Sequence, residues 1–409
     1  MSTSVTQSPF GMGGSPPALR LADRLRHIEG SPTLALAAKA KALAKAGKPV
    51  LDFTAGEPDA PTPEPIKQAG IRSIQADHTR YTPVAGIPEL RQAVAQAVNR
   101  QRGTTYQAAH ALVSCGAKHA LFNVFQALCQ SGDEVIVLSP YWVSFPPLVH
   151  LSGAKPVIIP TREADRFLPD PERISAAVTN ATKAIIINSP SNPTGAVMEA
   201  DRLRALARIA RERRLVVVSD EIYDQLIYPP AQHVSIVQVA PDLVEQTVLI
   251  GGASKTYSMT GWRIGWAVGP QGWIEAMTNV QSHSTSNPTS ISQDAALAAL
   301  TGDQTSVERM RREFQQRRDR LVNGLNRLSP LRCPMPDGAF YAWCNVQGLG
   351  RSAQEIAARW IDEAMIVTIP GEGFGESSFI RFSFAVSLET IDEGVRRLTS
   401  WMQQHYRNG

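Results

Sequence analysis

The 409-residue chain is poor in cysteine, in long apolar runs and in net charge. Its four cysteines, Cys115, Cys129, Cys333 and Cys344, lie far apart without C-x-x-C spacing. This spacing argues against a metal site or a disulfide framework, and it favours a reducing, cytoplasmic compartment. No apolar run approaches the ~18 residues that a membrane-spanning helix needs. The formal net charge of +4 is compatible with an anionic ligand but too small to indicate nucleic-acid binding.

Residues 1–24 are rich in serine, glycine and proline, and no acidic side chain precedes Asp23. We interpret this segment as a disordered tail. An organelle transit peptide is the alternative, because such leaders are also rich in serine and poor in acidic residues.

Strand-like apolar runs alternate with helical patterns in the middle of the chain. The predicted strands are Glu134–Leu138, Ala184–Asn188, Leu215–Ser219, Thr247–Ile250 and Ile264–Val268. Between two of them, four apolar residues repeat with the spacing of an amphipathic helix: Leu203, Leu206, Ala207 and Ala210. This alternation predicts an α/β fold with a mostly parallel central sheet flanked by helices.

Four of these runs end in segments that carry polar or aromatic side chains. The segments are residues 139–142, 188–195, 219–223 and 251–255. Because open α/β sheets bind ligands at the carboxyl ends of their strands, we expect the four segments to converge on one rim.

The chain changes character near residue 300. Met310, Phe314 and Leu321 mark the buried stripe of a long helix. We interpret the arginines around that stripe as a solvated face rather than an RNA-binding one; they are Arg309, Arg311, Arg312, Arg317, Arg318 and Arg320. Two predicted strands, Ala339–Trp343 and Phe379–Phe384, and a terminal helix follow. The length favours two domains, which we predict to be a large one over residues 61–300 and a smaller α+β one built from residues 25–60 and 301–409.

The most informative stretch runs from Gly251 to Lys255 (GGASK), with Arg263 eight residues further on. A lysine on a turn of small residues after a strand can reach into a cleft, and a nearby arginine can hold a phosphate in a fixed geometry. Together they indicate a Schiff-base lysine and a phosphate clamp for pyridoxal 5'-phosphate, which would make the large domain the cofactor-binding one. The alternative is an ordinary surface loop.

Further motifs occur in order along the chain: FTAGEPD at 53–59, GIPELR at 86–91 and SPYWVS at 139–144. From about residue 25 onward the chain resembles the class I (fold-type I) aminotransferases that use pyridoxal phosphate. Its closest resemblance is to the bacterial-type aspartate aminotransferases. The fold that this implies agrees with the predicted α/β sheet and its smaller second domain.

The resemblance implies catalytic roles for residues at the strand ends. Lys255 would carry the cofactor and move the substrate proton, and Asp220 would keep the pyridine nitrogen protonated. Tyr223 would donate a hydrogen bond to the cofactor phenolate. Asn192 would bind both this phenolate and the α-carboxylate of the substrate. Helix capping is the alternative for Asp220, and core packing is the alternative for Tyr223.

The resemblance also implies a set of residues that hold the cofactor. Gly116, Ala117 and Lys118 would bind the phosphate at a helix start, together with Arg263, while Trp142 would stack on the ring. Tyr81 would reach the phosphate of the neighbouring subunit, which implies a homodimer. Many relatives have a phosphate-binding serine where this chain has Gly252, so the phosphate is expected to have one donor fewer.

For the substrate, the resemblance implies that Arg381 and Gly56 bind the α-carboxylate, with Arg381 in a structural salt bridge as the alternative. Lys118, Ser31 and Thr33 match the residues that bind the distal carboxylate in the bacterial-type subgroup. We therefore expect transfer of the amino group from L-aspartate to 2-oxoglutarate.

Other activities on the same fold remain open: prephenate, aromatic or alanine transamination, or a β-lyase reaction. Glu29 and Gly30 stand where prephenate-active members tend to have a basic residue, which disfavours that activity. A transcription regulator with an aminotransferase-like domain is a further alternative, disfavoured because only about 25 residues precede the match.

Overall fold

The computed structural model describes residues 22–25, 28, 30 and 32–406. Most of the predicted tail, together with Glu29 and Ser31, lies outside the described residues.

The described residues form the following helices and strands. The helices are α1 (Pro32–Lys45), α2 (Glu64–Gln75), α3 (Pro88–Arg102), α4 (Ala117–Leu128), α5 (Phe145–Leu151), α6 (Pro171–Ala177), α7 (Ala200–Arg213), α8 (Ile236–Val239), α9 (Ala253–Thr256), α10 (Gln271–Ser282), α11 (Ser290–Thr301), α12 (Thr305–Asn326), α13 (Ala353–Ala364) and α14 (Leu388–His405). The strands are β1 (Leu51–Asp52), β2 (Ala111–Ser114), β3 (Glu134–Ser139), β4 (Lys155–Pro160), β5 (Thr182–Asn188), β6 (Val216–Asp220), β7 (Thr247–Gly252), β8 (Gly265–Val268), β9 (Tyr341–Asn345), β10 (Ile366–Val367), β11 (Ile369–Pro370) and β12 (Phe379–Ser383).

Seven strands form the central sheet, in the order β2-β8-β7-β6-β5-β3-β4. The neighbouring pairs from β7 to β4 are parallel, whereas β8 runs antiparallel to both β7 and β2. The prediction of a mostly parallel sheet flanked by helices is therefore confirmed. The connection from β7 to β8, residues 253–264, holds only the one-turn helix α9 and a turn, and lacks the longer helix of the usual parallel crossover.

The central strands are buried on both faces, which explains their nearly continuous Ile and Val sequences. Along β6, Val217 packs into the core on one face of the sheet, and Val216 and Val218 pack into the core on the other. The predicted amphipathic helix is α7, and its four apolar residues are all buried.

A second core lies under the three-stranded antiparallel sheet β11-β12-β9. Leu51 of β1 pairs in parallel with Ile366 of β10, so the N-terminal segment is attached to the C-terminal part of the chain. Phe53 packs edge-on against Phe382 in this core, with ring centroids 5.7 Å apart. The domain arrangement, with its boundaries at residues 60 and 300, stays a prediction.

Two sequence-based expectations are corrected. Lys255 lies within the one-turn helix α9 rather than on an open turn. The arginines of α12 do not all lie on a solvated face, because Arg318 is buried, donates to the Pro336 carbonyl and stacks on the Tyr228 ring at 4.7 Å. A guanidinium can pack its flat face on an aromatic ring while its edge donates hydrogen bonds. No helix in the described part of the chain is long and apolar enough to cross a membrane.

Candidate active site

A cavity of about 570 Å³ lies where the carboxyl ends of β3, β5, β6 and β7 face the three-stranded sheet. It brings together most of the predicted site residues, separated by hundreds of positions in the chain. Those lining it are Thr33, Gly56, Ala117, Lys118, Trp142, Asn192, Asp220, Tyr223, Lys255, Arg263 and Arg381. The predicted convergence of the four strand-end segments is therefore confirmed.

Two predicted site residues do not line the cavity. Gly116 lies just behind it, against Arg263. Tyr81 is 92% exposed, so its side chain is available to another molecule rather than to its own cavity. Ser31 lies outside the described residues.

Lys255 projects from α9 into the cavity, where its ammonium donates to the Gly56 carbonyl. Desolvation lowers the pKa of Lys255 to about 8, opposed by Glu57 and reinforced by nearby Arg263, Arg381 and Lys118. A lysine with a lowered pKa supplies a neutral amine near neutral pH, as a nucleophile or proton acceptor must.

Asp220 ends β6 and is 4% exposed. Its Oδ1 accepts from the Ile222 amide at 3.2 Å, and burial raises its pKa to about 7. The predicted alternative, helix capping, does not apply, because a turn follows Asp220 and the next helix begins at Ile236. The carboxyl lines the cavity, and no described cationic side chain forms an ion pair with it. A buried carboxyl in this setting fits a cationic ligand group.

Arg381, on β12, is 3% exposed. It donates to Asn192 Oδ1 at 2.9 Å and to the Thr54 carbonyl at 3.0 Å, and its Nε has no hydrogen-bond partner. A structural salt bridge is ruled out within the described residues, because both bonded groups are neutral. A buried guanidinium with spare donors beside a cavity fits a carboxylate ligand.

A second end of the cavity lies at the start of α4, beside Arg263. Gly116, at φ 87°, caps this helix without a side-chain hydrogen bond. A Cβ built on Gly116 would lie 2.5 Å from Arg263 Nη2, so only glycine lets the arginine lie against the helix start. Arg263 itself adopts φ 57°, a strained conformation for a non-glycine residue, of the kind that clusters at functional sites.

Beside this end lie Lys118 and Trp142. The Lys118 ammonium stands 5.0 Å from the centre of the Trp142 ring. Desolvation and the neighbouring Arg263 lower the pKa of Lys118. Gly252, where many relatives have a serine, has an extended backbone and no side chain to offer, while Ser254 lines the cavity.

Several residues that line the cavity, among them Tyr341 and Glu57, were not predicted from the sequence. Tyr341 is buried and its hydroxyl lies 2.9 Å from that of Tyr223, while Glu57 accepts from Thr260 at 2.6 Å. Glu57 belongs to the FTAGEPD motif at residues 53–59, in which the resemblance implies no role for the glutamate. For Tyr341 the only signal was an aromatic residue within a predicted strand, which is indistinguishable from core.

The fold and the cavity define an enzyme that handles small anionic substrates with a lysine at the carboxyl edge of a parallel sheet. Comparisons with known proteins name the family. Residues 48–398 match the family "Aminotransferase class I and II". The chain belongs to this family, and it is therefore a transaminase.

Several relatives are similar over nearly the whole chain. The aspartate aminotransferase of Geobacillus stearothermophilus is 44% identical over 94% of this chain and 99% of its own. The aspartate/prephenate aminotransferase of Thermus thermophilus is 43% identical, with coverages of 92% and 97%. The structure of aspartate aminotransferase from Thermus thermophilus with maleate has a TM-score of 0.90 at 42% identity, with coverages of 93% and 99%.

Proposed function

We propose that this protein transfers the amino group of L-aspartate to 2-oxoglutarate in a ping-pong reaction, with pyridoxal 5'-phosphate bound at Lys255. The observation that carries the proposal is the distribution of cationic groups in the cavity. Arg381 and Lys118 both line it, and neither forms an ion pair with a described carboxylate. A dicarboxylic amino acid supplies one carboxylate for each of them.

The residues of the cavity fit the cofactor. The first amides of α4, together with Arg263, would hold its phosphate. Trp142 would cover the ring, and Asp220 would pair with the ring nitrogen, which relieves the cost of its buried carboxyl. When bound, pyridoxal phosphate supplies a conjugated ring that accepts electrons from the substrate carbon.

Side chains of the protein would orient the substrate, transfer its proton and donate a hydrogen bond to the cofactor. Arg381 orients the substrate through its α-carboxylate, and Asn192 fixes the guanidinium by accepting from Nη1. Lys255, with its pKa lowered to about 8, accepts and returns the substrate proton at Nζ. Tyr223 holds its hydroxyl proton at the pH of the reaction, because burial raises its pKa well above 10. It therefore acts as a hydrogen-bond donor to the cofactor.

Amino-donor specificity tests the proposal. With 2-oxoglutarate as acceptor, kcat/KM for aspartate should exceed that for alanine and phenylalanine by about tenfold or more, since neither offers a second carboxylate and each polar group left unpaired costs affinity. Arogenate carries a second carboxylate, so its turnover is measured as the test of the prephenate alternative. Lys118→Gln should lower kcat/KM for aspartate about 10- to 100-fold, the range of a charged hydrogen bond. Alanine should be much less affected.

The matched control is Lys183→Met, because Lys183 is exposed near the amino end of β5, away from the cavity. It should behave as the unmodified enzyme. Equal losses for all donors in Lys118→Gln would mean that Lys118 serves only the cofactor. Absence of aspartate turnover with bound cofactor would move the activity to prephenate, aromatic amino acids, alanine or β-elimination.

We also propose that the active unit is a homodimer. The nearly complete exposure of the large Tyr81 side chain supports this, because such a residue is suited to an interface. Tyr81→Phe should weaken cofactor phosphate binding if Tyr81 enters the partner's site. A cytoplasmic location remains our proposal; the four cysteines are free thiols, as a reducing compartment requires.

A further inference from the structure

Tyr341 lies beside Arg381 in the three-stranded sheet and also contacts Tyr223. On β9 it pairs with Ser383 of β12, while Arg381 pairs with Trp343. Tyr341 and Arg381 are therefore diagonal neighbours on the same face of the three-stranded sheet, within reach of each other. Both line the cavity.

Two contacts define the surroundings of Tyr341. Its hydroxyl lies 2.9 Å from the hydroxyl of Tyr223, across the boundary between the two sheets. The guanidinium of Arg381 lies 4.3 Å from the centre of the Tyr341 ring and 5.1 Å from that of Phe374. The side chain is 1% exposed, so both contacts are desolvated.

We propose that Tyr341 is a positioning residue that couples the cofactor's hydroxyl donor to the carboxylate clamp. Its hydroxyl donates to the oxygen of Tyr223, which directs the Tyr223 proton toward the cofactor's ring oxygen. Its ring is a wall that holds the Arg381 guanidinium in the plane needed for a two-pronged carboxylate bond. The inference rests on the proposed aminotransferase site but not on the identity of the amino donor.

The direction of the hydroxyl bond follows from charge. Arg381 is the cation that faces Tyr341, and a cation beside a phenol makes its hydroxyl a stronger donor. Burial raises the pKa of Tyr223 well above its usual value, and nearby Asp220 adds to this while Arg381 opposes it, so Tyr223 keeps its own proton. If Tyr341 donates, Tyr223 keeps its hydrogen for the cavity. In the reverse arrangement, that hydrogen would be used within the pair.

The aromatic ring of Tyr341 has a separate role, which is to restrain the Arg381 guanidinium. An arginine whose Nε has no partner is held only by two bonds, to Asn192 and to the Thr54 carbonyl. Stacking on an aromatic face restrains the guanidinium plane without using any of its donors. The free donors can therefore meet a carboxylate in a fixed orientation.

The test compares Tyr341→Phe, which removes only the hydroxyl, with Tyr341→Leu, which also removes the aromatic wall. The matched control is Tyr228→Phe. Tyr228 is a buried tyrosine whose hydroxyl donates to the Ala339 carbonyl and whose ring carries Arg318 at 4.7 Å, but it does not line the cavity.

The first readout is a pH titration of the visible absorbance of the cofactor-bound enzyme, without any amino acid. A weaker donor to the ring oxygen disfavours the deprotonated, more negative form, so Tyr341→Phe should raise the midpoint by about 0.5 to 1 pH unit. Tyr228→Phe should leave it unchanged. All variants keep the other charged side chains that line the cavity: Lys41, Asp52, Glu57, Lys118, Asp220, Arg263 and Arg381.

The second readout separates KM from kcat. Tyr341→Phe should keep the KM for the amino donor within about twofold, whereas Tyr341→Leu should raise the KM values of donor and 2-oxo acid about tenfold. An unshifted midpoint in Tyr341→Phe overturns the hydroxyl role even if the leucine variant does not fold. If Tyr341→Leu folds and its KM values are unchanged, the proposed role of the Tyr341 ring in holding Arg381 is wrong. If the enzyme does not turn over aspartate, the midpoint of the absorbance titration can still be measured, so the inference about Tyr341 is still tested. If the protein does not bind pyridoxal phosphate, the proposed function itself is wrong.

Discussion

Arg381 donates a 2.9 Å hydrogen bond from Nη1 to Asn192 Oδ1, which joins the three-stranded sheet to the carboxyl edge of the central sheet. The two residues are 189 positions apart in the chain. Because Asn192 and the Thr54 carbonyl are neutral, the bond orients the guanidinium without neutralising it. The positive charge therefore remains available to a substrate.

Replacing Arg381 with lysine should keep the charge and lose the two-pronged geometry. We expect kcat/KM to fall about 10- to 100-fold for amino acid and 2-oxo acid alike, because both carry the α-carboxylate. Steady-state kinetics in both half-reactions measure this. Arg396→Lys, an exposed i,i+3 partner of Glu393 on α14, is the control and should be neutral. A selective loss for one substrate would argue against α-carboxylate binding.

The lowered pKa of Lys255 predicts how the cofactor-free enzyme takes up pyridoxal phosphate. Only the neutral amine attacks an aldehyde, so the rate of covalent attachment should rise with pH and level off above about 8. Stopped-flow absorbance measures the rate. Lys255→Ala should show no covalent attachment after borohydride reduction, while Lys183→Met should react normally. A rate that still climbs steeply near pH 10 would contradict the lowered pKa.

Asp220→Asn should separate stability from activity. Burial raises the folded-state pKa of Asp220 to about 7, well above that of an exposed aspartate, so its contribution to stability is lost as pH rises from about 4 through 7. The cofactor-free variant should therefore melt higher than the parent at pH 8, and the two should converge at pH 4. With the cofactor bound, kcat should fall about 100-fold or more.

Thermal melts at the two pH values and kinetics of the cofactor-loaded enzymes provide the measurements. Asp362→Asn is the control, because that residue is exposed on α13 and does not line the cavity, so neither the melting temperatures nor kcat should change. A cofactor-free Asp220→Asn protein that melts lower at pH 8 would show that the carboxylate stabilises the fold by itself.

Gly116→Ala tests the phosphate end of the cavity. The new methyl group would lie 2.5 Å from Arg263 Nη2, and the backbone has a positive φ, so the arginine must move or the helix start must distort. We expect the dissociation constant of pyridoxal phosphate to rise about tenfold or more, measured by fluorescence quenching. Gly272→Ala introduces a methyl group into open space and should not change it. Unchanged affinity in Gly116→Ala would place the phosphate elsewhere.

Much of the fold could be predicted from particular local patterns. The apolar runs at β5 and β6 were predicted to within two residues, because buried parallel strands need continuous Ile and Val. The short strands β1, β10 and β11 were not predicted, because a strand of two residues is too short to show an alternating hydrophobic pattern. The predicted strand at Ala339–Trp343 begins two residues later, at Tyr341, because residues 338 and 339 bond instead to the loops at residues 195 and 226.

The sequence by itself determined which chemical groups stand at the strand ends, because strand, turn and helix signals are local and Lys255, Asp220 and Asn192 follow them directly. Tertiary structure decided which of those groups meet. The hydrogen bond from Arg381 to the Thr54 carbonyl across 327 residues and the contact of Tyr341 with Tyr223 across 118 residues arise from the packing of two sheets against each other. Contacts between residues so far apart produce no periodic pattern in the sequence. A buried aromatic residue also gives the same sequence pattern whether it packs in a core or lines a binding site.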